Sequence, residues 1–429
     1  MVVVGGGLAG LFSASELMSM GVEDLVVVEA SPAPGGVVRT LTRDGFSLEP
    51  GAGSFSLPHP YLGPILRRAG VVTRPAEAGG RHVFTEGSLV ELRASPRMLL
   101  TPLVPLPAGL RAMAEILIPT RSDPDETIAG FCRRRFGRGA GDVLSWLLAS
   151  GVFAGDPSRL STQAAFPVLE ALERESGSVM VGVLRRRLAR SGGRARIHVP
   201  VGGMAAVAEL IAETLGDRFR PGFTVESVYA DGDRWVVTGP EAIMAESVVL
   251  AVPPHLAVGM VDPELAAVLS ESSNARVAVV WIGGTAPSPL PEGFGALVGP
   301  GEGMPTRGIL FESSYAPERA PDGSWLIKVI VGGATQPDVV DWSDEKLTAS
   351  TVEDAGRIVG ADLSPSFVEL IRHRPGIPQY EVGHLQWLRR VNSLLGARSG
   401  LRVAGWGYHG VGVASLAMGA SRLAREIVS

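Results

Sequence analysis

The residues most suited to chemistry lie at the start of the chain, where Gly5, Gly7 and Gly10 follow the apolar residues Val2–Val4. In a G-x-G-x-x-G sequence the first glycine allows a tight turn, the second lets the backbone approach a pyrophosphate, and the third lets a helix pack closely on a strand. A second apolar run ends at Glu29, at about the distance where an acidic residue binds a ribose hydroxyl. The pattern predicts a strand–turn–helix unit that binds a dinucleotide.

Two more glycine-rich turns follow closely. Gly35 and Gly36 come shortly after Glu29, and Gly51 and Gly53 follow a short predicted strand. Taken alone, the first of these turns is equally consistent with a purely structural proline–glycine turn. Three glycine-rich turns so close together favour a long cofactor, and we therefore predict FAD rather than NAD.

A further glycine-rich turn, residues 405–412, precedes a predicted helix at the end of the chain. A helix N-terminus carries a partial positive charge and unpaired N–H groups. Such a turn suits the electron-rich N1–C2=O edge of a flavin, on which negative charge develops during reduction. We therefore predict that the end of the chain returns to the same cofactor as its start.

Composition narrows the possible functions. The 429 residues carry a formal net charge of −5, which does not favour nucleic-acid binding. Cys132 is the only cysteine, so neither an intrachain disulfide nor a thiolate metal cluster is expected, and no metal-ligand spacing is present. The sequence shows no signal peptide and no run of about twenty apolar residues that would span a bilayer. We expect a cytoplasmic protein.

Several segments together resemble the amine-oxidase-like FAD superfamily. They are the first glycine turn, Glu29, the sequence GGVVRT at 35–40 and the sequence GAGSF at 51–55. Within that superfamily, GVFAGDPSRLS at 151–161, GFGALV at 293–298 and GIPQYEVGH at 376–384 resemble the oxygen-dependent protoporphyrinogen oxidases. The resemblance covers nearly the whole chain. It implies an α/β fold with a Rossmann-like FAD-binding domain, an antiparallel-sheet substrate domain and a helical insert.

The resemblance also implies how these parts divide the chain. The FAD-binding domain is expected from residues 1–60, 198–260 and 395–429, the substrate domain from 61–94 and 261–394, and the helical insert from 95–197. Residues 95–119 are apolar and broken by prolines. They suit either a peripheral membrane patch with Arg97 and Arg111 near the headgroups or an ordinary helical subdomain. A homodimer is also left open.

FAD contacts are implied at residues in each glycine-rich turn and at one strand of the middle segment. These residues are Gly5, Gly6, Gly7, Leu8, Ala9, Gly10, Glu29, Ala30, Gly35, Gly36, Val37, Arg39, Gly51, Ala52, Gly53, Ser54, Val225, Val411, Gly412 and Val413. Two departures from the family pattern concern FAD affinity. Residues 414–416 read Ala-Ser-Leu where the family usually has Asn-Asp-Cys, and Ala33 stands where an arginine often precedes the second glycine pair.

A substrate site is implied as well. In the family, a glycine at the place of Gly151 directs its carbonyl towards the flavin and the reacting carbon, and an arginine at the place of Arg81 binds a propionate. A guanidinium suits that role because its planar fork binds a carboxylate through two hydrogen bonds. Apolar groups facing the flat tetrapyrrole are expected at Phe294, Leu297, Leu310 and Ile330. Without the resemblance, Arg81 would be an ordinary surface arginine, and residues 154–156 would form a simple turn. The four apolar residues would belong to an ordinary sheet core.

The implied reaction is the oxidation of protoporphyrinogen IX to protoporphyrin IX in three two-electron steps, with molecular oxygen as the electron acceptor. Three alternatives stay open. One is oxidation of coproporphyrinogen III, which carries four carboxylates. Another is amine oxidation, which commonly uses a lysine–water pair at flavin N5, although the predicted strand reads Ala275-Arg276-Val277 without lysine. The last is a non-catalytic flavin- or tetrapyrrole-binding protein. His373 and His384 are expected to be structural.

Overall fold

The computed structural model describes residues 1–92, 103–121, 125–189, 195–285 and 290–429. In chain order, its strands are β1 (Val2–Val4), β2 (Val26–Glu29), β3 (Leu41–Arg43), β4 (Phe46–Leu48), β5 (Phe55–Leu57), β6 (Thr73–Pro75), β7 (Arg81–Thr85), β8 (Ser88–Leu92), β9 (Arg196–Pro200), β10 (Phe219–Pro221), β11 (Ser227–Asp231), β12 (Arg234–Thr238), β13 (Ile243–Ala245), β14 (Val248–Leu250), β15 (Asn274–Thr285), β16 (Gly295–Val298), β17 (Thr306–Leu310), β18 (Ser324–Gly332), β19 (Phe367–Pro378) and β20 (Leu401–Val403).

The α-helices in the same order are α1 (Leu8–Ser19), α2 (Leu62–Arg68), α3 (Leu106–Met113), α4 (Ile128–Phe136), α5 (Arg138–Phe153), α6 (Thr162–Ala165), α7 (Pro167–Ser176), α8 (Val179–Ala189), α9 (Gly203–Leu215), α10 (Pro254–Ala257), α11 (Pro263–Leu269), α12 (Glu312–Tyr315), α13 (Asp344–Val359), α14 (His384–Gly396), α15 (Trp406–His409) and α16 (Val413–Val428).

A parallel sheet joins the start, the middle and the end of the chain. Its strand order is β10-β2-β1-β14-β20, and every adjacent pair is parallel. Val3 lies between Val27 and Val249, and all three side chains are fully buried. Because both faces of this sheet are covered, its strands are continuous β-branched runs. Helices α1, α9 and α16 pack on one face, and the first glycine turn lies at the carboxyl end of β1.

A second, larger sheet has the strand order β19-β15-β18-β17-β16-β7-β8. It is antiparallel, as predicted, except that β16 runs parallel to β7 with Gly295 opposite Arg81. This exception arises because the β7–β8 hairpin comes from a distant part of the chain and joins the sheet through β16. Helix α13 covers one face, where its residues Leu347 and Ile358 pack with Val280 and other strand residues. We call this sheet the mixed sheet.

Helices α3 to α8 lie within the predicted helical insert, and two of their bounds differ from the prediction. The sequence predicts a helix over residues 140–148, whereas α5 continues to Phe153, so Gly151 lies inside a helix. The sequence predicts a helix over residues 163–190 with a break near Gly177. The break is present, because Gly177 ends α7 with a left-handed φ of 71°, and Pro167 adds a second break between α6 and α7. The fully buried Arg135 pairs with Glu115 in this region.

The expected membrane patch, residues 95–119, lies only partly within the described residues. Arg97 lies outside the described residues. Arg111 donates a hydrogen bond to the Arg135 carbonyl oxygen at 3.3 Å, so its side chain turns towards the protein. Nearby, Leu106, Leu110 and Leu117 are exposed. Within the ranges that the structure describes, no helix combines the length and apolarity that crossing a membrane requires.

Candidate cofactor and substrate site

The structure explains why Gly5, Gly7 and Gly10 of the first turn carry no side chain. Gly5 has a φ of 108°, and a Cβ atom there would lie 2.9 Å from the Ala251 carbonyl oxygen. A Cβ atom on Gly10 would lie 1.9 Å from the Gly5 oxygen, so Gly10 allows α1 to pack on the turn. Gly7 differs, because its Cβ would meet only the Gly35 oxygen, at 3.9 Å. The missing side chain of Gly7 leaves open space at the N-terminus of α1, where a pyrophosphate fits.

Glu29 ends β2 beside this turn and is buried. Its carboxylate accepts hydrogen bonds from the N–H groups of Gly6 at 2.6 Å and Ser31 at 2.8 Å. An ionised carboxylate has about four acceptor positions. Glu29 therefore keeps acceptor capacity for hydroxyl donors, which is what a ribose supplies.

The second and third glycine turns pack on the first. The Gly35 N–H donates to the Gly6 carbonyl oxygen at 2.8 Å, and a Cβ atom on Gly51 would lie 2.6 Å from the Val37 oxygen. These contacts bring the three turns together, as a common cofactor requires. Several of the residues predicted to bind FAD are partly or fully exposed there, namely Gly7, Ala9, Ala30, Gly36, Val37, Arg39, Gly51, Ala52, Gly53 and Ser54, whereas Leu8 is buried.

The turn at 405–412 lies against the start of α1. A Cβ atom on Gly405 would be 3.8 Å from the Ala9 Cβ. Gly412 precedes α16 with a φ of 112°, and no atom lies within 4 Å of its missing Cβ. The N-termini of α1 and α16 therefore lie near each other. Both offer unpaired N–H groups and partial positive charge to a ligand between them.

Tyr380 holds this turn in shape. Its hydroxyl donates to the Trp406 carbonyl oxygen and accepts from the Gly410 N–H at 2.8 Å. His384 stacks on the Tyr380 ring, with centroids 4.1 Å apart, and burial lowers the pKa of His384 to about 4. His384 is therefore neutral near pH 7 and packs against the tyrosine, which agrees with its predicted structural role.

Two buried cations bind the backbone of the third glycine turn. Lys328 on β18 donates to the carbonyl oxygens of Glu49 at 2.6 Å and Gly51 at 2.7 Å. Arg319 donates to the carbonyl oxygen of Gly53. Burial lowers the pKa of Lys328, so its charge depends on these carbonyl contacts and on the acidic groups nearby. Lys328 thereby fixes the turn to the mixed sheet, and Arg319 fixes it to the segment after α12.

The face of the mixed sheet opposite α13 carries apolar side chains on β16, β17 and β18. Leu297 on β16, Leu310 on β17 and Ile330 on β18 are partly buried. They point away from α13, since their strand neighbours Ala296, Ile309, Val329 and Val331 pack in the core beneath that helix. Gly308 lies opposite both Leu297 and Ile330 and places no side chain between them. These residues form a flat apolar surface, which we call the apolar face.

The end of α5 lies against the apolar face. A Cβ atom on Gly151 would lie 3.4 Å from the Leu297 Cδ1. The N–H groups of Ala154 and Gly155 both return to the Ala149 carbonyl oxygen, so they leave the Gly151 carbonyl without a partner inside the helix. A free carbonyl at a helix C-terminus carries partial negative charge and accepts hydrogen bonds from a ligand.

Arg81 and Phe294 lie at the β7 side of the apolar face. Arg81 is exposed, and the described residues offer it no carboxylate partner. The Phe294 N–H donates to the Gly80 carbonyl oxygen at 2.6 Å. The Phe294 ring lies on Tyr315 with centroids 4.4 Å apart. One side of the phenylalanine is thus fixed by the core while the ring stays partly exposed.

Val225 lies in the core next to Val28 and is 7% exposed. The Phe223 N–H donates to the Glu29 carbonyl oxygen at 2.8 Å, so this segment follows the edge of the parallel sheet where Glu29 lies. The side chain of Val225 serves packing. A backbone contact of Val225 with adenine stays a prediction.

The site is poor in groups that transfer protons at neutral pH. Burial raises the pKa of Cys132 to about 12 and lowers the pKa of His373. Across the described ranges, no cluster of histidine, cysteine and acidic side chains is suited to hold a metal ion. The arrangement instead fits a flavin dinucleotide, with pyrophosphate at α1, ribose at Glu29 and the flavin N1–C2=O edge at α16.

Sequence reasoning did not single out Lys328, Arg319 or Tyr380. Lys328 alone carried a signal, because it is one of two lysines in the chain and lies in an otherwise apolar strand. The partners of Arg319 and Tyr380 in the glycine-rich turns are distant in the sequence, so no local pattern reveals them.

Comparison with known proteins extends over the full chain. The sequence profile of the family described as flavin containing amine oxidoreductase matches residues 8–428. The chloroplastic protoporphyrinogen oxidase of Oryza sativa subsp. japonica is 29% identical over an alignment that covers 99% of this chain and 87% of the relative. The coproporphyrinogen III oxidase of Bacillus subtilis is 26% identical, with 96% of this chain and 94% of the relative covered.

Solved structures share the fold. A crystal structure of a protein from Exiguobacterium sp. 255-15, assigned as a protoporphyrinogen oxidase, matches with a TM-score of 0.83 at 23% identity and covers 100% of this chain and 98% of that one. A variant of putrescine oxidase matches with a TM-score of 0.76 at 18% identity, with the same coverage. At these identities the likeness concerns the fold alone.

Proposed function

The chain belongs to the family of flavin containing amine oxidoreductases, and from this premise we propose that it oxidises protoporphyrinogen IX to protoporphyrin IX. It is an FAD-dependent oxidoreductase. The proposal adds the substrate, molecular oxygen as the electron acceptor, and a role in porphyrin and haem biosynthesis. Support for the substrate comes from the full-length similarity to relatives that bear this activity in their names.

The single observation that carries the proposal is the position of the apolar face. Gly151 packs on its residue Leu297, and the exposed Arg81 lies at its β7 edge. Its strand β18 also provides Lys328, which binds the third glycine turn. A flat apolar ring with a carboxylate at its edge fits this surface, because the leucine and isoleucine side chains exclude water from the ring and the guanidinium binds the carboxylate.

The residues of this chain orient the substrate in the proposed reaction. Over the three two-electron steps, the ring loses three hydrides from bridge carbons and three protons. Two of these protons come from pyrrole nitrogens and one from the remaining bridge carbon, as conjugation grows. Bound FAD supplies the hydride acceptor, and oxygen takes the electrons from it after each step. The apolar face and Arg81 hold the ring so that its bridge carbons turn towards the cofactor.

The Gly151 carbonyl contacts a pyrrole group of the substrate in this proposal. It has no partner within α5, so it accepts a hydrogen bond from a pyrrole N–H of the bound ring. The partial negative charge of the helix C-terminus favours positive charge on that pyrrole as hydride leaves the neighbouring carbon. The proton then leaves to solvent, which explains why no buried general base is needed near the site.

We propose that separate domains bind the cofactor and the substrate. Residues 1–60, 198–260 and 395–429 form the FAD-binding domain, residues 61–94 and 261–394 the substrate domain, and residues 95–197 the helical insert. The strands of the parallel sheet and of the mixed sheet support this division. Limited proteolysis with and without FAD tests it, since cuts between the expected domains should precede cuts within them.

A second candidate substrate is coproporphyrinogen III. The Bacillus subtilis relative with this name covers the chain about as fully as the plant relatives do. Amine oxidation has less support, because the likeness to putrescine oxidase concerns the fold alone. In addition, Arg276 on β15 is engaged in an ion pair with Asp341 at 2.5 Å.

The experiment uses the FAD-loaded full chain in air, with protoporphyrinogen IX, coproporphyrinogen III and benzylamine as parallel substrates. Porphyrin fluorescence and hydrogen peroxide are recorded against an enzyme-free control, because porphyrinogens oxidise slowly on their own. We expect the highest kcat/KM with protoporphyrinogen IX. A rate no greater than the enzyme-free control with both porphyrinogens would overturn the proposal.

The proposed location is the cytoplasm with peripheral contact to the membrane surface. The exposed residues Leu106, Leu110 and Leu117 near α3 support that contact. Flotation with vesicles of mixed zwitterionic and anionic lipid tests it. We expect the native chain to float with the vesicles, and a variant with Leu106→Ser and Leu110→Ser to lose this binding. Equal flotation of the native chain and the variant would contradict the proposed membrane contact.

A further inference from the structure

We propose that Arg307 is a second carboxylate-binding residue of the substrate site, placed to bind a carboxylate that Arg81 does not reach. The inference rests on the proposed function and deepens it, because it names the part of the substrate that this chain recognises. It concerns the number of carboxylates on the ring, which is the chemical difference between the two candidate substrates.

Arg307 points to the apolar face. Its neighbour Thr306 donates a hydrogen bond to Asp354 on α13 at 2.6 Å, and Ile309 packs in the core beneath the same helix. A β-bulge lies between Thr306 and Gly308 in the pairing of β17 with β18. A bulge places two successive residues on the same side of a strand. Arg307 and Gly308 therefore share the side opposite to α13.

Arg307 has no acidic partner within the described parts of the chain. Its Nε is buried without a hydrogen-bond partner, and burial lowers its pKa. On strands β15 and β19 of the same sheet, Arg276 pairs with Asp341 and Arg372 pairs with Asp344. A partly buried guanidinium without a partner is unfavourable in the free protein. A bound anion would remove this cost.

Arg81 and Arg307 lie on opposite sides of the apolar face. Arg81 is level with Gly295 and Leu310 on the next two strands, whereas Arg307 lies beyond Gly308. With strands about 4.8 Å apart and residues about 3.4 Å apart along a strand, the two Cα atoms are separated by roughly 12 Å. This separation suits carboxylates on different edges of one flat ring.

The ligand that this arrangement fits is a flat apolar ring with carboxylates on more than one edge. Protoporphyrinogen IX carries two carboxylates and coproporphyrinogen III carries four. The two carboxylates of the first lie on neighbouring pyrroles at one edge of the ring, whereas the second carries one on each pyrrole. Arg307, across the apolar face from Arg81, is therefore expected to contribute to the binding of the tetracarboxylate and little to that of the dicarboxylate. Its presence widens the range of substrates that the same apolar face accepts.

The test measures dissociation constants by fluorescence for coproporphyrin III and protoporphyrin IX, the stable oxidised forms, with the FAD-loaded full chain. Arg307→Met should weaken coproporphyrin III binding about tenfold, the cost of losing one charge-assisted hydrogen bond, and change protoporphyrin IX binding less than about twofold. Arg307→Lys should restore most of the affinity. The matched control is Arg357→Met, an exposed residue of α13 on the other side of the sheet, which should change neither constant.

The outcomes separate the inference from the proposed function. If the native chain binds neither porphyrin, the proposed function fails. If it binds both and Arg307→Met binds both as tightly as the native chain, or loses both equally, the assignment of Arg307 is wrong and the proposed function stands. If Arg307→Met does not fold, the affinities of coproporphyrin III and its tetramethyl ester are compared on the native chain and on Arg307→Lys. Binding of the ester as tight as that of the acid would then overturn the assignment.

Discussion

Lys328 donates a hydrogen bond of 2.7 Å to the carbonyl oxygen of Gly51, a residue 277 positions away in the sequence. The contact joins the mixed sheet to the third glycine turn. Because Lys328 also binds the Glu49 carbonyl, one buried ammonium fixes two peptide groups of the turn. The surface that holds the substrate and the loop that faces the cofactor are thus connected through a single side chain.

Replacement of Lys328 by Met is expected to raise the dissociation constant of FAD about tenfold, because two carbonyl groups lose a charged donor and the turn becomes free to rearrange. The measurement is titration of the apoprotein with FAD, followed by flavin fluorescence. Lys346→Met is the matched control, since Lys346 is the other lysine of the chain and is exposed on α13. Equal FAD affinity of the two variants would contradict the role given to Lys328.

The glycines of the first turn are expected to respond differently to alanine. Gly7→Ala should fold normally, because its Cβ meets only open space within the protein, and should bind FAD at least tenfold more weakly, since the methyl group blocks the pyrophosphate. Gly10→Ala should lower the free energy of unfolding by about 1–3 kcal/mol through the clash with the Gly5 oxygen. Urea unfolding of the two apoproteins and FAD titration distinguish them. Native FAD affinity in Gly7→Ala would place the pyrophosphate elsewhere.

Replacement of Arg81 by Ala is expected to raise KM for protoporphyrinogen IX about tenfold, since a bidentate guanidinium–carboxylate contact is lost. The FAD dissociation constant should stay within about twofold of the native value, because β7 is three strands away from β18, whose Lys328 contacts the third glycine turn. Steady-state kinetics and FAD titration on the same preparation provide both numbers. A parallel loss of both affinities would remove Arg81 from the substrate site.

Stability is expected to fall with acidification through His384. Burial holds its pKa at about 4 in the folded chain, whereas the unfolded value is near 6.5. The unfolded state therefore binds the proton first as the pH drops below about 6.5, and the native chain should lose about 2 kcal/mol from this residue between pH 7 and pH 5. Urea unfolding at the two pH values, compared between the native chain and His384→Gln, isolates this contribution. An identical pH dependence in both proteins would show that His384 titrates normally.

The sequence predicted the parts of the site that depend on local pattern. The spacing of Gly5, Gly7 and Gly10 after a buried strand indicated the first turn, because such a turn is a local pattern in which Gly10 packs directly on Gly5. The resemblance predicted that Leu297 and Leu310 face the substrate. The structure puts both on one face because β16 and β17 pair directly, and Gly295 lies opposite Leu310.

Other features depend on pairing between distant segments and could not be predicted. The side on which Arg307 lies is set by a β-bulge against β18, and a local alternation pattern does not reveal such a shift. The predicted helix ended before Gly151, whereas α5 continues to the buried Phe153, and the chain turns only at Ala154 with a φ of 45°.

The most direct measurement of the central claim is anaerobic mixing of the FAD-loaded chain with protoporphyrinogen IX in a stopped-flow spectrometer. The account predicts loss of the oxidised flavin absorbance together with the appearance of porphyrin fluorescence, and return of the flavin absorbance when oxygen is admitted. If the flavin stays oxidised with this substrate and with coproporphyrinogen III but is reduced by an amine, the account is contradicted.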